Sequence, residues 1–143
     1  MGNSQCFTQR METVFPNSLI FGADIDDVIL FTEDIIKTYY CDQTNPDIIK
    51  EMWNTYDLHE NFDIIIEDGL HTFDANKCFF ENSINKLKKG GIFIIEDITS
   101  SDITKFSEQI LVWNSMLPYL EFRLIKIPHS NTHDNNILVV KHN

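Results

Sequence analysis

Glycine is scarce in this sequence. The 143-residue chain holds five glycines, at positions 2, 22, 69, 90 and 91, and neither Gly-x-Gly-x-x-Gly nor a P-loop can be assembled from them. The usual glycine-rich loop that cradles a nucleotide is therefore excluded. Basic residues are also few: 11 Lys and Arg stand against 22 Asp and Glu, a formal net charge of −11. Such a surface repels phosphate backbones, so no nucleic acid is expected as a partner. There is no run of about 18 apolar residues, and the polar start Met1–Arg10 has no apolar signal core, so no membrane partner is expected. The three cysteines, Cys6, Cys41 and Cys78, lack metal-ligand spacing and are odd in number, which points to reduced thiols and a cytoplasmic setting. With no repeat, low-complexity tract or Pro/Gly/Ser linker, residues 1–143 are expected to form a single domain.

Short runs of Ile, Val, Phe and Tyr alternate with longer segments of helical period. Leu19–Asp24, Ile36–Cys41, Phe62–Glu67, Gly91–Glu96, Phe122–Ile127 and Ile137–Lys141 read as strands. Phe62–Glu67 and Gly91–Glu96 are almost continuously apolar, as in strands buried on both faces. Asn45-Pro46-Asp47 gives a helix N-cap, a proline at the first helical position and a first-turn acid; the helix would bury Ile48, Ile49, Met52 and Trp53. A second helix is predicted from Phe73 to Lys88 with Gly90 as its C-terminal cap, and a third from Asp102 to Leu117. The last two strands flank the polar segment His129–Asn136 and read as an antiparallel hairpin, with His129 and His133 on the surface. Alternation of this kind predicts an α/β domain with a mainly parallel sheet, whose ligands sit beyond the carboxyl ends of the strands.

Those ends are acidic. Asp24 closes one strand, Asp42 and Gln43 follow the next, Asp68 follows Phe62–Glu67, and Glu96 and Asp97 close Gly91–Glu96. If the last two strands are neighbours, Asp68, Glu96 and Asp97 converge. Three such carboxylates repel one another unless a hard cation such as Mg²⁺ joins them; solvated loop acids and helix caps are the plainer alternative. His71, in Asp68-Gly69-Leu70-His71, has the chemistry of a general base if Gly69 turns the chain back toward the acids, and is otherwise an exposed loop histidine. Asp24 has the position of an acid that accepts two ribose hydroxyls, and Asp42 that of one facing an adenine amino group.

Four segments resemble successive motifs of the class I S-adenosylmethionine-dependent methyltransferases: "IFGADID" (Ile20–Asp26), "YYCDQTNP" (Tyr39–Pro46), "FDIIIEDGLHTF" (Phe62–Phe73) and "LKKGGIFIIEDI" (Leu87–Ile98). Within that class the chain is most similar to metal-dependent sugar O-methyltransferases of macrolide pathways and to the cephalosporin hydroxylase-like family, over roughly Phe15 to Ile98. The resemblance implies a Rossmann-like methyltransferase sheet and S-adenosylmethionine as cofactor. It places Asp24, Asp42 and Gln43 on the cofactor, Asp68, Glu96 and Asp97 on a Mg²⁺-like cation, and His71 as the base that deprotonates a hydroxyl of a sugar-like acceptor.

The same resemblance implies a departure. "FTQRMETVFPN" (Phe7–Asn17) resembles the helix that follows the glycine-rich loop, so the family's first strand and that loop are missing from the sequence. A truncated methyltransferase, or one completed by a second copy or another chain, is one expectation. A catalytically inactive methyltransferase-like binding domain is the other. A third reading, a phosphoacceptor receiver domain, rests on Asp26, Asp27 and Asp68 with Lys126; against it, the strand ending at Glu96 delivers Glu96 and Asp97 where a Ser or Thr is needed, and the helix-like sequence before Leu19 fits poorly.

Overall fold

The computed structural model describes residues 14–55, 58, 60–128 and 135–143. Cys6, most of the helix-like segment Phe7–Asn17, and His129 and His133 lie outside the described residues. Contacts group the chain into two compact units, Met1–Asp42 and Gln43–Asn143.

In the first unit β1 (Ile20–Asp24) runs parallel to β2 (Ile36–Tyr40), in a register that pairs Ile20 with Ile36 and Asp24 with Tyr40. Cys41 N donates to Asp24 O at 2.9 Å, extending the ladder one step past the strand ends. Asp24 Oδ1 accepts from Asp26 N (2.9 Å) and Asp26 Oδ1 from Val28 N (3.1 Å), so the acids after β1 turn the chain into a short 3₁₀ segment, Asp27–Ile29.

The second unit is a four-stranded sheet in the order β3-β4-β6-β5, with β3 Phe62–Glu67, β4 Leu87–Ile98, β5 Leu120–Ile125 and β6 Asn136–His142. β3 and β4 are parallel, whereas β6 is antiparallel to both β4 and β5. The antiparallel β6 excludes the all-parallel sheet of a receiver domain. Strand β3 spans the predicted residues. β4 begins earlier than predicted, because Gly90 is not a helix cap: it lies inside the strand at φ +82°, where the register slips between Phe62/Leu87 and Ile64/Ile92. Gly91 is required there for close approach, since a Cβ would meet Asp63 O and Lys88 O, each at 2.9 Å. β5 lies two residues earlier than predicted, which preserves its alternation between faces.

Helix α1 (Pro46–Trp53) starts as its sequence requires, with Asn45 Oδ1 accepting from Asp47 N (3.0 Å) and Ile48 N (3.4 Å), and it buries Ile49, Met52 and Trp53. Helix α2 (Phe73–Ser83) tightens into a 3₁₀ turn, Ile84–Lys86, and so ends before the predicted Lys88. Trp53 Nε1 donates to Ser83 Oγ (2.9 Å) in the interior, and Lys86 Nζ donates to the Trp53 (3.2 Å) and Leu58 (3.0 Å) carbonyls, so α1 is tied to the end of α2. Helix α3 (Ile103–Met116) buries Phe106 and Trp113, while Leu111, Val112 and Met116 stay exposed.

The core of this unit is aromatic. Phe80 of α2 lies 4.5 Å from the Trp113 ring, 5.2 Å from Phe93 of β4 and 6.0 Å from Phe122 of β5, all between ring centroids. Phe80 thus joins two helices to two strands, and tilted rings at these separations add to the burial energy. Its truncation leaves a cavity that three rigid rings cannot fill. Phe80→Ala is expected to cost about 3–5 kcal/mol of unfolding free energy, read from urea titration followed by tryptophan fluorescence.

Candidate functional site

The parallel register aligns the ends of β3 and β4. Glu67 pairs with Ile95, so the residues that follow, Asp68 on one strand and Glu96 and Asp97 on the other, emerge at one edge of the sheet. Asp68, His71 and Asp97 bring ligand atoms within 4.8 Å of one another. His71 Nε2 lies 4.0 Å from Asp68 Oδ1, with both side chains about half exposed and open to a substrate. His71 Nδ1 is buried and has no hydrogen-bond partner among the described residues.

Two backbone irregularities build this cluster. Among the described residues, His71 and Asp97 are the non-glycine residues with positive φ, 49° and 50°. This left-handed conformation costs an ordinary residue about 1 kcal/mol or more, less for Asp, whose short side chain can bond locally. At Asp97 the cause is a β-bulge: Ile95 pairs with Leu138 and Ile98 with Asn136, so β4 takes three steps where β6 takes two. A regular strand would send Glu96 and Asp97 to opposite faces, and the bulge re-aims one of them. The buried Asn136 closes the bulge by donating from Nδ2 to Ile98 O at 2.8 Å.

The set differs from the one expected in one member. Asp68 and Asp97 converge, His71 joins them, and Glu96 stands outside the group whose atoms lie within 4.8 Å. Glu96 still feels their charge: burial first, then the neighbouring Asp68 and Asp97 carboxylates, push its pKa up, against a smaller opposing effect of His71. Burial likewise raises Asp68, with Asp97 adding to it and His71 opposing.

Beneath the cluster is a polar network that composition did not reveal. Glu67 is 4% exposed and accepts from Gln43 Nε2 (3.0 Å) and Gly69 N (3.0 Å) at Oε1. The Asn76 amide, with its nitrogen facing them, donates to Glu67 Oε2 (3.1 Å) and Thr72 O (3.0 Å). Gln43 Oε1 in turn accepts from Leu70 N at 3.0 Å. Burial pushes the Glu67 pKa up, and the Gly69 and Gln43 donors pull it back. Both polar ends of Gln43 are therefore engaged inside the protein. Gly69 matters for space rather than for a left-handed turn, because a Cβ there would overlap the Gln43 amide. In the first unit, Asp24 and Asp42 sit at the carboxyl ends of adjacent parallel strands, Asp24 with Oδ1 on Asp26 N.

Structural comparison decides the fold. MycE methyltransferase from the mycinamycin biosynthetic pathway, in complex with Mg and SAH, superposes with a TM-score of 0.64 at 19% identity, over 92% of this chain and 39% of that one. The plantazolicin methyltransferase BpumL in complex with SAH superposes with a TM-score of 0.71 at 8% identity, over 99% and 74%. The fold is that of a class I methyltransferase. In sequence, this methyltransferase-fold chain is 33% identical over 84 residues to demethylmacrocin O-methyltransferase of Streptomyces fradiae, and 31% over 87 residues to L-olivosyl-oleandolide 3-O-methyltransferase of Streptomyces antibioticus. These matches cover 59% and 61% of this chain, and the chain spans only 20% and 22% of the two relatives. No family model matches the sequence. Among the described residues, no helix of this methyltransferase fold is long and apolar enough to cross a membrane.

The like charges make a test. A carboxylate whose folded pKa is raised binds its proton more tightly folded than unfolded, so the metal-free protein loses stability as pH rises above the ordinary values of 3.8 and 4.5 for Asp68 and Glu96. Asp97→Asn removes one of the repelling charges and keeps a residue that tolerates the left-handed backbone. At pH 7 without divalent cations it is expected to be more stable than the parent by about 0.5 kcal/mol, the size of a relieved like-charge pair. The gain should vanish in thermal melts at a pH low enough to protonate both acids.

Proposed function

We propose that this chain carries the cofactor and cation site of an S-adenosylmethionine-dependent, divalent-metal-assisted O-methyltransferase that acts on a hydroxyl of a sugar-like small molecule. The convergence of Asp68, His71 and Asp97 at the carboxyl ends of two parallel strands is the observation that carries this reading. The similar MycE structure with Mg and SAH supports it, as do the relatives named demethylmacrocin O-methyltransferase and L-olivosyl-oleandolide 3-O-methyltransferase.

The donors fit a cation. Two carboxylates with a third nearby suit a hard divalent cation such as Mg²⁺ or Mn²⁺. Asp68 and Asp97 would hold it, with Glu96 adding negative charge at the edge of the set. When bound, a divalent cation lowers the pKa of a hydroxyl that it touches, and S-adenosylmethionine supplies an electrophilic methyl group. His71 takes the hydroxyl proton at Nε2, the nitrogen beside Asp68, as general base. Asp24 would accept the ribose hydroxyls, and Asp42 would face the adenine amino group. The protein's share is then orientation and charge placement in a half-exposed site.

The second reading, a methyltransferase-like binding domain without catalysis, is favoured by the division of the strands into a β1-β2 pair and a separate β3-β4-β6-β5 sheet. Calorimetric titration with S-adenosylmethionine, with and without Mg²⁺, separates the two. The enzyme reading expects cofactor binding and methyl transfer to a desmethyl macrolide glycoside, with transfer lost in His71→Ala and cation binding lost in Asp68→Asn. No heat at millimolar cofactor selects the binding domain. Cation affinity should fall as pH is lowered toward the raised pKa values of Asp68 and Glu96, because protons then compete for the ligand oxygens.

A further inference from the structure

We propose that Gln43 and Glu67 form a clamp that holds the Asp68–His71 turn in its cation-binding conformation, which makes Gln43 a positioning residue of the site; this rests on the metal reading above. Five hydrogen bonds carry the argument. Glu67, buried at the end of β3, takes the Gly69 N–H at 3.0 Å and the Gln43 amide nitrogen at 3.0 Å on the same oxygen. The other end of that amide takes the Leu70 N–H at 3.0 Å. Two successive backbone donors of the turn are thus fixed by one carboxylate–carboxamide pair. Asn76 braces the far oxygen of Glu67 at 3.1 Å and ties it to the Thr72 carbonyl at the start of α2.

The turn needs such bracing. His71 sits at φ +49°, a left-handed backbone uncommon for any non-glycine residue, between the half-exposed Asp68 and the α2 N-terminus. Backbone strain persists only where the surroundings over-determine it, and fixing the Gly69 and Leu70 N–H groups leaves the next residue little choice. The overlap that a Cβ at Gly69 would make with Gln43 Oε1 shows how closely the amide is seated against the turn. Groups that orient metal ligands without touching the metal change affinity substantially when they are lost.

Gln43→Met keeps the length of the side chain and removes both hydrogen bonds, and Gly69→Ala displaces the amide while leaving Gln43 intact. Each full-length variant is compared with the parent in three measurements: Mn²⁺ affinity by electron paramagnetic resonance, amide hydrogen exchange at Gly69 and Leu70, and thermal melting. The expected result is Mn²⁺ binding weakened about tenfold to a hundredfold, faster exchange at both amides, and a cooperative melt retained in at least one variant. Unchanged Mn²⁺ affinity in a folded variant overturns the proposal, and so does unchanged exchange at Leu70. If the parent itself binds no Mn²⁺, the metal reading fails and the positioning role with it. The exchange arm, which needs no metal, still shows in that case whether the clamp holds the turn.

Discussion

The parallel pairing of β3 on β4 is the constraint from which the rest of the site follows. With Ile64 opposite Ile92 and Glu67 opposite Ile95, both strands run out at the same level. Their next residues must leave the sheet together, and these are Asp68, Glu96 and Asp97. A one-residue slip would move every apolar side chain of β3 to the opposite face, so the register is held by burial of Ile65, Phe93 and Ile95 rather than by the acids. The aromatic cluster around Phe80 fixes β4 from one helix, and the buried Leu138 and Val140 extend that order to β6 and β5. The hydrophobic core therefore supplies the precision, and the carboxylates accept the position they are given.

Where the core places acids together, the electrostatic cost has to be met locally. Glu67 is the most deeply buried of them and meets it with hydrogen bonds: three donors from Gly69, Gln43 and Asn76 replace the water it has lost. Asp68 and Glu96 are less buried, and their pKa values rise through burial first, with Asp97 adding to it at Asp68 and both Asp68 and Asp97 adding to it at Glu96. The two outcomes divide labour along one strand end. The inward carboxylate is satisfied by hydrogen bonds, whereas the outward ones stay open to solvent and carry the charge on which the proposed cation site rests.

Much of this was legible in the sequence. Phe62–Glu67 was readable to the residue from its apolar run, but the burial on both faces expected of it and of Gly91–Glu96 is not met: β3 is an edge strand of its sheet, with Ile64 41% exposed, and Ile92 of β4 is 37% exposed. Asn45-Pro46-Asp47 announced α1 through a capping chemistry that depends on neighbouring residues alone. The rim of acids followed from strand ends. What could not be read were features set by pairing partners. The extended start of β4 hides behind Gly90-Gly91, a pair that suits a helix cap and a strand irregularity equally well. The bulge at Glu96-Asp97 depends on the two-residue advance of β6, far away in sequence. Gln43 was placed on the cofactor, and its bonds to Glu67 and Leu70 could not be read because those partners lie over twenty positions downstream.

The strained positions also explain why His71, rather than Glu96, shares the cluster. Along an extended strand, consecutive side chains diverge, so Glu96 and Asp97 cannot both turn inward without a break in the ladder. The left-handed step at Asp97 provides that break and favours Asp97. On the opposite strand, the chain leaves β3 into a turn whose Gly69 and Leu70 amides are already held, and the left-handed step at His71 brings the imidazole back to within 4.0 Å of Asp68. Two positive-φ residues, one on each strand exit, thus face each other across the site. Each departs from the backbone that most residues prefer, and both departures fall at the proposed cation site, where the arrangement of side chains would matter more than local strain.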